Sequence, residues 1–428
     1  MIDHAPVSAA KNEGSLIDTE ISNSERDILR RLAGKVAELS LRPSEDEKRD
    51  LWYRHNDLEP TRPLIFCDPE NGWNEIVTPE QIECKSILAR QWEAILRKEI
   101  FWGESMGDDR VVEPYFNIYY VHTNTGWGIA HKVIGGENGG SYVWDSPVKD
   151  YEDIKKLRFP EIVVDHHLTE QLFGLAQEII GDLLEVRVKG RWRWTLGLTQ
   201  ELVYLRGLEQ MMVDMYENPT WIHEIMAFLR DGQMRLLDYL ENNNLLTLDN
   251  DGTYVGSGGF GFTQQLPGPD FAGKVRNIDL WGFAESQETT SVSPTMFEEF
   301  VFKYQLPLLE RFGLNCYGCC EPIDKRWHVV KQIPRLRRVS VSPWSDLRAM
   351  AEILGDRYIY SMKPNPAALA EPDIDDDYIR RGLREALQIV DDCRVEIIMK
   401  DNHTIGRNPE NVKRWCRIAR EEIESAMG

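Results

Sequence analysis

Arg338-Val339-Ser340-Val341, Tyr358-Ile359-Tyr360-Ser361 and Val395-Glu396-Ile397-Ile398-Met399 are three short β-prone runs, separated by helix-length apolar patterns at 345–354 and 376–391. Steady alternation of strand and helix implies parallel strands joined by crossover helices, because a tight hairpin cannot join parallel neighbours. The alternation extends towards the N-terminus. Further β-prone runs lie at 64–66, 111–121, 184–188, 245–248, 277–281 and 314–317, with helical patterns near 79–99 and at 199–215, 219–241 and 295–311. Seven or eight such units make a (β/α)8 TIM barrel the expected fold within the α/β class. A doubly wound sheet ranks behind it, since no Gly-x-Gly-x-x-Gly lies at a strand-to-helix turn.

Outside the alternation, residues 1 to about 22 are polar and read as a loose arm. Ser24-Glu25-Arg26-Asp27 then opens a helical pattern through Ile28, Leu29, Leu32, Val36 and Leu39. The expected organisation is an N-terminal helical extension over 1–45 and one barrel over 46–428, with no domain linker. Two long irregular stretches interrupt it. One is 122–148, with glycine pairs at 135–136 and 139–140; the other is 252–276, where aromatics (Tyr254, Phe260, Phe262, Phe271) sit among glycines and suggest an ordered loop at the barrel mouth.

Composition narrows the function. In 428 residues, 50 Lys+Arg stand against 71 Asp+Glu, a net charge of −21. That balance opposes binding to nucleic acid or to anionic membrane surfaces. No window approaches 18 uninterrupted apolar residues, and the opening MIDHAPVSAAKNEGS lacks the basic and apolar regions of a signal peptide, so a cytoplasmic protein is expected. Seven cysteines, three of them at Cys316, Cys319 and Cys320, make a disulfide framework a poor reading and a metal or thiolate site a better one.

The strongest local signal is Cys316-Tyr317-Gly318-Cys319-Cys320-Glu321-Pro322, after a β-run and before a helical pattern, which in a barrel is the catalytic face. On extended backbone Cys319 and Glu321 point one way and Cys320 the other, making a two-ligand arm for zinc; a turn at Pro322 would bring in Cys320 instead. Isolated cysteines are more often small buried residues, but adjacent thiols followed by a carboxylate favour a site. A further ligand is expected from another strand end, at His403 in Asp401-Asn402-His403, with Asp401 in reserve. Asp249 and Asp251 in Asp249-Asn250-Asp251-Gly252 form a second acidic cluster that reads equally as acid–base chemistry or as a turn. Glu285 carries the same two readings at the end of another run. Trp192 and Trp281, with Gln287, are the contacts expected for a flat ligand or cofactor, among aromatics that also include Trp127, Trp144, Trp194 and Trp344. His166-His167 reads as surface, and His122 and His131 lie in the first glycine-rich loop.

Several segments in order resemble the uroporphyrinogen decarboxylase superfamily, in its methyltransferase branch: Tyr53-Arg54-His55-Asn56-Asp57, Tyr151-Glu152-Asp153-Ile154, Leu205-Arg206-Gly207-Leu208-Glu209 with Glu217-Asn218-Pro219, Val292-Ser293-Pro294-Thr295-Met296-Phe297, and Pro409-Glu410-Asn411-Val412. The resemblance covers most of the chain after about residue 45. It implies a (β/α)8 barrel, a zinc ion bound through a His-x-Cys pair and a later cysteine, and methyl transfer to or from a corrinoid carried by a partner protein. The sequence departs from that pattern. Cys319-Cys320-Glu321 holds the place of the His-x-Cys pair, and Asp401 to His403 holds that of the late cysteine. The family's paired aspartates before a glycine resemble Asp249 and Asp251 with Gly252.

The expected activity is therefore zinc-dependent transfer of a methyl group between a small methylated compound, a methoxylated aromatic being one candidate, and a corrinoid protein. Zinc would be held by Cys319, Cys320, Glu321 and His403, with a homodimer as the oligomeric option. Porphyrin decarboxylation ranks second, because no arginine-rich segment for an acidic porphyrinogen is present. A barrel that only binds is the reading from another class.

Overall fold

The computed structural model describes residues 19–130, 132–135 and 142–427. Residues 1–18 of the expected arm, His131, Gly136, Gly139 and Gly140 lie outside them. In chain order the strands are β1 (Leu64–Cys67), β2 (Tyr115–Tyr119), β3 (His122–Asn124), β4 (Lys132–Gly135), β5 (Tyr142–Asp145), β6 (Ile162–Val164), β7 (Glu185–Lys189), β8 (Trp281–Ala284), β9 (Leu314–Tyr317), β10 (Leu336–Val341), β11 (Ile359–Met362) and β12 (Arg394–Met399). With the helices between them they make a mixed α/β fold whose long connections join parallel strands. The chain divides into two compact units, one built from 1–123, 164–191 and 363–428, the other from 124–163 and 192–362.

In the first unit β1 pairs in parallel with β12, and β2 with β7. The helix Asn23–Ser40 carries Leu29, Leu32, Val36 and Leu39 on one face and packs them into a cluster with Trp92, Leu96, Ile179 and Val186. Burying each such leucine stabilises by roughly 1.5–3 kcal/mol, so this helix is core. The expected boundary at 45/46 falls inside the helix Pro43–Asn56. The first helix begins one residue before the expected Ser24, capped by Ser22: its hydroxyl accepts from Glu25 N at 3.4 Å, and Ser22 N donates to Glu25 Oε2 at 2.9 Å. Glu25 Oε1 accepts from Lys85 N and Ser86 N at 2.9 and 2.7 Å, tying in the start of the helix Ile87–Phe101. Burial alone would raise this carboxyl, but its hydrogen bonds hold the pKa at about 2.

In the second unit β8, β9, β10 and β11 lie side by side, all parallel. Their exit ends lead into residues 285, 318, 342 and 363. The expected loop over 252–276 is ordered: Tyr254 bridges to Phe260, Phe260 and Phe262 are buried, and Ser257 Oγ donates to the Gly318 carbonyl at 2.9 Å.

Four expectations need correction. Residues 245–248 form no ladder. The run at 277–281 is a 3-10 turn over Asn277–Asp279, with the strand beginning only at Trp281. The pattern at 199–215 breaks into Thr199–Arg206 and Leu208–Glu217 at Gly207, whose φ of 95° no helix accommodates. The stretch 122–148 holds β3 and an antiparallel β4–β5 hairpin. His166 and His167 are exposed, as expected, and open a helix, His166–Ile180, in which Asp165 Oδ1 caps Leu168 N at 2.9 Å.

Asp108, fully buried, accepts from Cys67 N at 3.0 Å and Arg110 N at 3.2 Å. Burial, reinforced by neighbouring Asp109, pushes its pKa up to about 6 from 3.8. Because the folded state holds the proton more tightly, this group's stabilisation is complete below pH 3.8 and is lost as pH rises through 6. The loss is at most about 3 kcal/mol. Denaturant unfolding at steps from pH 4 to pH 7 should show a falling stability whose slope is flatter in Asp108→Asn; an unchanged slope would contradict the assignment.

Candidate functional site

The exit ends of β8 and β9 meet in a closed network. After Tyr317 the chain turns at Gly318, where φ is +94°, so the strand alternation expected for Cys319, Cys320 and Glu321 does not continue. The turn places the Cys319 and Cys320 sulfurs 3.7 Å apart and folds Glu321 back: its Oε2 accepts from Cys319 N at 2.9 Å, and its Oε1 from Ser286 N at 2.8 Å. Glu285 stands at the end of β8. Its Oε2 accepts from Gln287 N at 3.0 Å, while its Oε1 is buried with no hydrogen-bond partner in the protein. Cys319 is buried and Cys320 half-buried, so the cluster opens to solvent on the Cys320 side.

A layer of polar side chains holds the cluster from behind. Gln305 Nε2 donates to the carbonyls of Glu285, at 2.9 Å, and Gly197, and its Oε1 accepts from Tyr317 Oη at 2.9 Å. Arg326, 4% exposed, donates through Nη1 to Ser286 Oγ at 3.3 Å and Thr289 Oγ1 at 3.2 Å, and through Nη2 to the carbonyls of Thr289 and Val292. Ser340 Oγ donates to the Cys319 carbonyl at 2.9 Å.

Electrostatically this is a pair of carboxylates short of positive charge. Burial raises Glu285 well above the usual carboxylate range, and the charges of Glu288 and Glu321 and the nearby Cys319 add to it. Burial also raises Glu321, opposed by the backbone N–H groups it accepts from and by Arg326. Glu285 thus holds its proton more tightly than an ordinary carboxyl, beside a thiol pair and a second buried acid.

The donors suit zinc in kind. Two thiolates on one tetrahedral zinc, each at about 2.3 Å, stand about 3.8 Å apart, close to the observed sulfur spacing. Glu285 Oε1 is a buried acceptor that a cation would satisfy. Among the described residues, however, no three His, Cys, Asp or Glu side chains are already gathered to hold a metal ion. A third donor requires rotation of Glu285 or Glu321, since both Glu321 oxygens accept from backbone N–H.

Asp249 accepts through both carboxylate oxygens from Trp281 N, at 3.3 and 3.2 Å, at the entry of β8; Glu285 is four residues along, roughly 13 Å of extended chain. Asp251 closes a turn, with Oδ1 accepting from Thr253 N at 3.0 Å and from the Thr253 hydroxyl. Trp281 is buried, its Nε1 donating to the Gly261 carbonyl at 3.0 Å; half-buried Trp192 donates to the Leu245 carbonyl at 3.0 Å. Gln287 joins the network through its backbone. His403 is exposed in the first unit, where its carbonyl accepts from Asn71 Nδ2 at 2.9 Å.

Sequence reasoning missed Gln305, Tyr317, Ser286, Thr289 and Arg326. The first lies 14 residues before the cysteine pair and the last six after it, so only the fold brings them together. Gly197 was also silent. A Cβ there would stand 2.5 Å from the Glu285 carbonyl oxygen and 2.6 Å from its Oε1. Gly197→Ala should therefore destabilise by roughly 1–3 kcal/mol, whereas Gly174→Ala, in a helix with nothing within 4 Å, should stabilise by about 0.5–1 kcal/mol. Denaturant midpoints of the two variants, read side by side, check this; equal effects would contradict the close approach.

No protein-family profile matches the chain, and no curated protein matches it. Among solved structures it is similar to a methyltransferase from Methanosarcina mazei, over 87% of this chain and 97% of that one, with a TM-score of 0.49 and 12% sequence identity.

Proposed function

We propose that the protein is a zinc-dependent methyltransferase that moves a methyl group between a small methylated compound and a corrinoid carried by a partner protein, on the (β/α)8 barrel that the sequence alternation implies. The observation that carries the reading is the thiol pair at 3.7 Å beside two buried glutamates, at the exit ends of neighbouring parallel strands. Ligands of parallel α/β folds gather at such ends. Cys319 and Cys320, with the Glu321 carboxylate, would hold the metal. Zinc supplies Lewis acidity towards the substrate heteroatom, and the corrinoid is the methyl acceptor.

The chain's own residues do the rest. Glu285, whose hold on its proton is strengthened by burial and by the charges of Glu288 and Glu321, would place a proton beside the thiol pair, and removing a methyl group from an oxygen leaves that oxygen in need of one. Glu321 fixes the Cys319 backbone, and Gln305 fixes the Glu285 backbone, so the acid and the thiols keep their spacing. Arg326, through Ser286 and Thr289, buttresses the turn that follows Glu285. Cys320, the half-exposed member of the pair, marks the side from which substrate approaches.

Protein purified without chelator is expected to carry about one zinc per chain by elemental mass spectrometry, and to transfer methyl groups from methoxylated aromatics to free reduced cobalamin. Cys320→Ala should lose metal and turnover together. Glu285→Gln should keep metal and lose about 10²–10⁴ in rate. His403→Ala asks whether the imidazole expected from the sequence belongs to the ligand set. Zinc retained in both Cys319→Ser and Cys320→Ala would sink the thiol assignment, and wild-type protein with no zinc would sink the zinc mechanism. Loss of carboxylates from added uroporphyrinogen would replace methyl transfer with decarboxylation.

A further inference from the structure

A second buried polar cluster lies in the first unit at the exit ends of β1 and β12, where the segment after β12 also carries Asp401 and His403. Cys67 and Met399 are register partners, so the next residues, Asp68 and Lys400, leave the sheet side by side. The two loops are laced together: Asp68 N donates to the Met399 carbonyl at 2.8 Å, Asn402 Nδ2 to the Asp68 carbonyl at 2.7 Å, and Gly72 N to the Asn402 carbonyl at 3.3 Å. Glu70 N donates to Asp68 Oδ1 at 3.0 Å. Lys400 Nζ stands 3.8 Å from Glu70 Oε1 and also meets Asp401 Oδ1. Lys363, 5% exposed, is near enough to act electrostatically on Asp401.

Two features go beyond structural need. Asp68 and Asn402 are fully buried, and Asp68 Oδ2 and Asn402 Oδ1 have no hydrogen-bond partner in the protein. An unsatisfied buried acceptor costs roughly 1–3 kcal/mol, and here two fall in one small region, since the Asn402 amide is bonded to Asp68 itself. Glu70 and Asp401 also sit at φ of 46° and 62°, a left-handed backbone that side chains other than glycine rarely adopt and that collects at functional sites.

The unsatisfied groups define the ligand. An ammonium carries three donors and can serve both acceptor oxygens at once, where a hydroxyl serves one. Buried lysines beside them disfavour a bare metal cation but suit a carboxylate. We propose that the exit ends of β1 and β12 form a binding site for a small zwitterion such as an amino acid, its ammonium on Asp68 Oδ2 and Asn402 Oδ1 and its carboxylate on Lys400 and Lys363. Burial, together with the Glu70 charge, lifts Asp68 to about 7, which an ammonium beside it would reverse.

The test uses the full chain and is independent of methyl transfer. A panel of common α-amino acids at about 10 mM is screened by thermal shift, with acetate and methylammonium as single-charge controls, and the best binder is titrated by calorimetry. The expected result is binding by at least one amino acid, with affinity falling about tenfold or more in Asp68→Asn and in Lys400→Met. If Asp68→Asn fails to fold, Asn402→Ser reads the same acceptor pair. The proposal is overturned if no amino acid binds, if the folded variants bind as wild type does, or if acetate alone binds as tightly.

Discussion

Glu321 ties two strands together with one side chain. One oxygen holds Cys319 N, beyond the end of β9, and the other holds Ser286 N, beyond the end of β8. Together with Gln305, which bonds both the Glu285 carbonyl and Tyr317 Oη, the Glu321 side chain gives the thiol pair and Glu285 a fixed relation to each other. Its position is costly, because a carboxylate out of water forfeits its hydration; two backbone N–H donors and the Arg326 charge offset part of that cost. Glu285, at the neighbouring strand end, holds its proton more tightly than an ordinary carboxyl, first because burial disfavours its charged form and then because the charges of Glu288 and Glu321 oppose it. The acid–base character of the cluster thus follows from the way the strand ends are joined.

Much of the strand order was legible because parallel strands are buried on both faces. Leu314–Tyr317 and Ile359–Met362 are buried at all four positions, and β12 at all but its first. Such runs announce themselves as short apolar segments between helical patterns. Asn277–Asp279 misled for a related reason: Asn277 and Asp279 are buried by contacts of a turn, and Asp279 pairs with Arg276 at 2.9 Å, so a half-apolar string mimicked a strand beginning four residues early. The pattern at 199–215 looked continuous because Gly207 is a single residue within good periodicity.

The site was legible in type and illegible in shape. Adjacent thiols followed by a carboxylate identified the segment, but their directions were inferred from a strand pleat that ends at Gly318. Asp249 and Asp251 carried two readings in the sequence, acid–base chemistry and a turn, and in the structure each accepts from a backbone N–H. Arg326 could not have been found by pattern, since a charged residue opening a helical turn reads as surface until the turn around Ser286 and Thr289 closes over it.

The division of the chain has a temporal side. The second unit is complete once residue 362 has left the ribosome, but the first needs 363–428 to supply β12 as the partner of β1. Residues made first must wait for residues made last. During synthesis β1 therefore offers an unpaired, fully apolar edge for the time taken to translate more than three hundred residues, roughly fifteen seconds to a minute at 5–20 residues per second. The early helix Asn23–Ser40 can pack against Ile87–Phe101 as soon as both emerge, so the nascent chain has a local core to shelter in while its sheet remains half built.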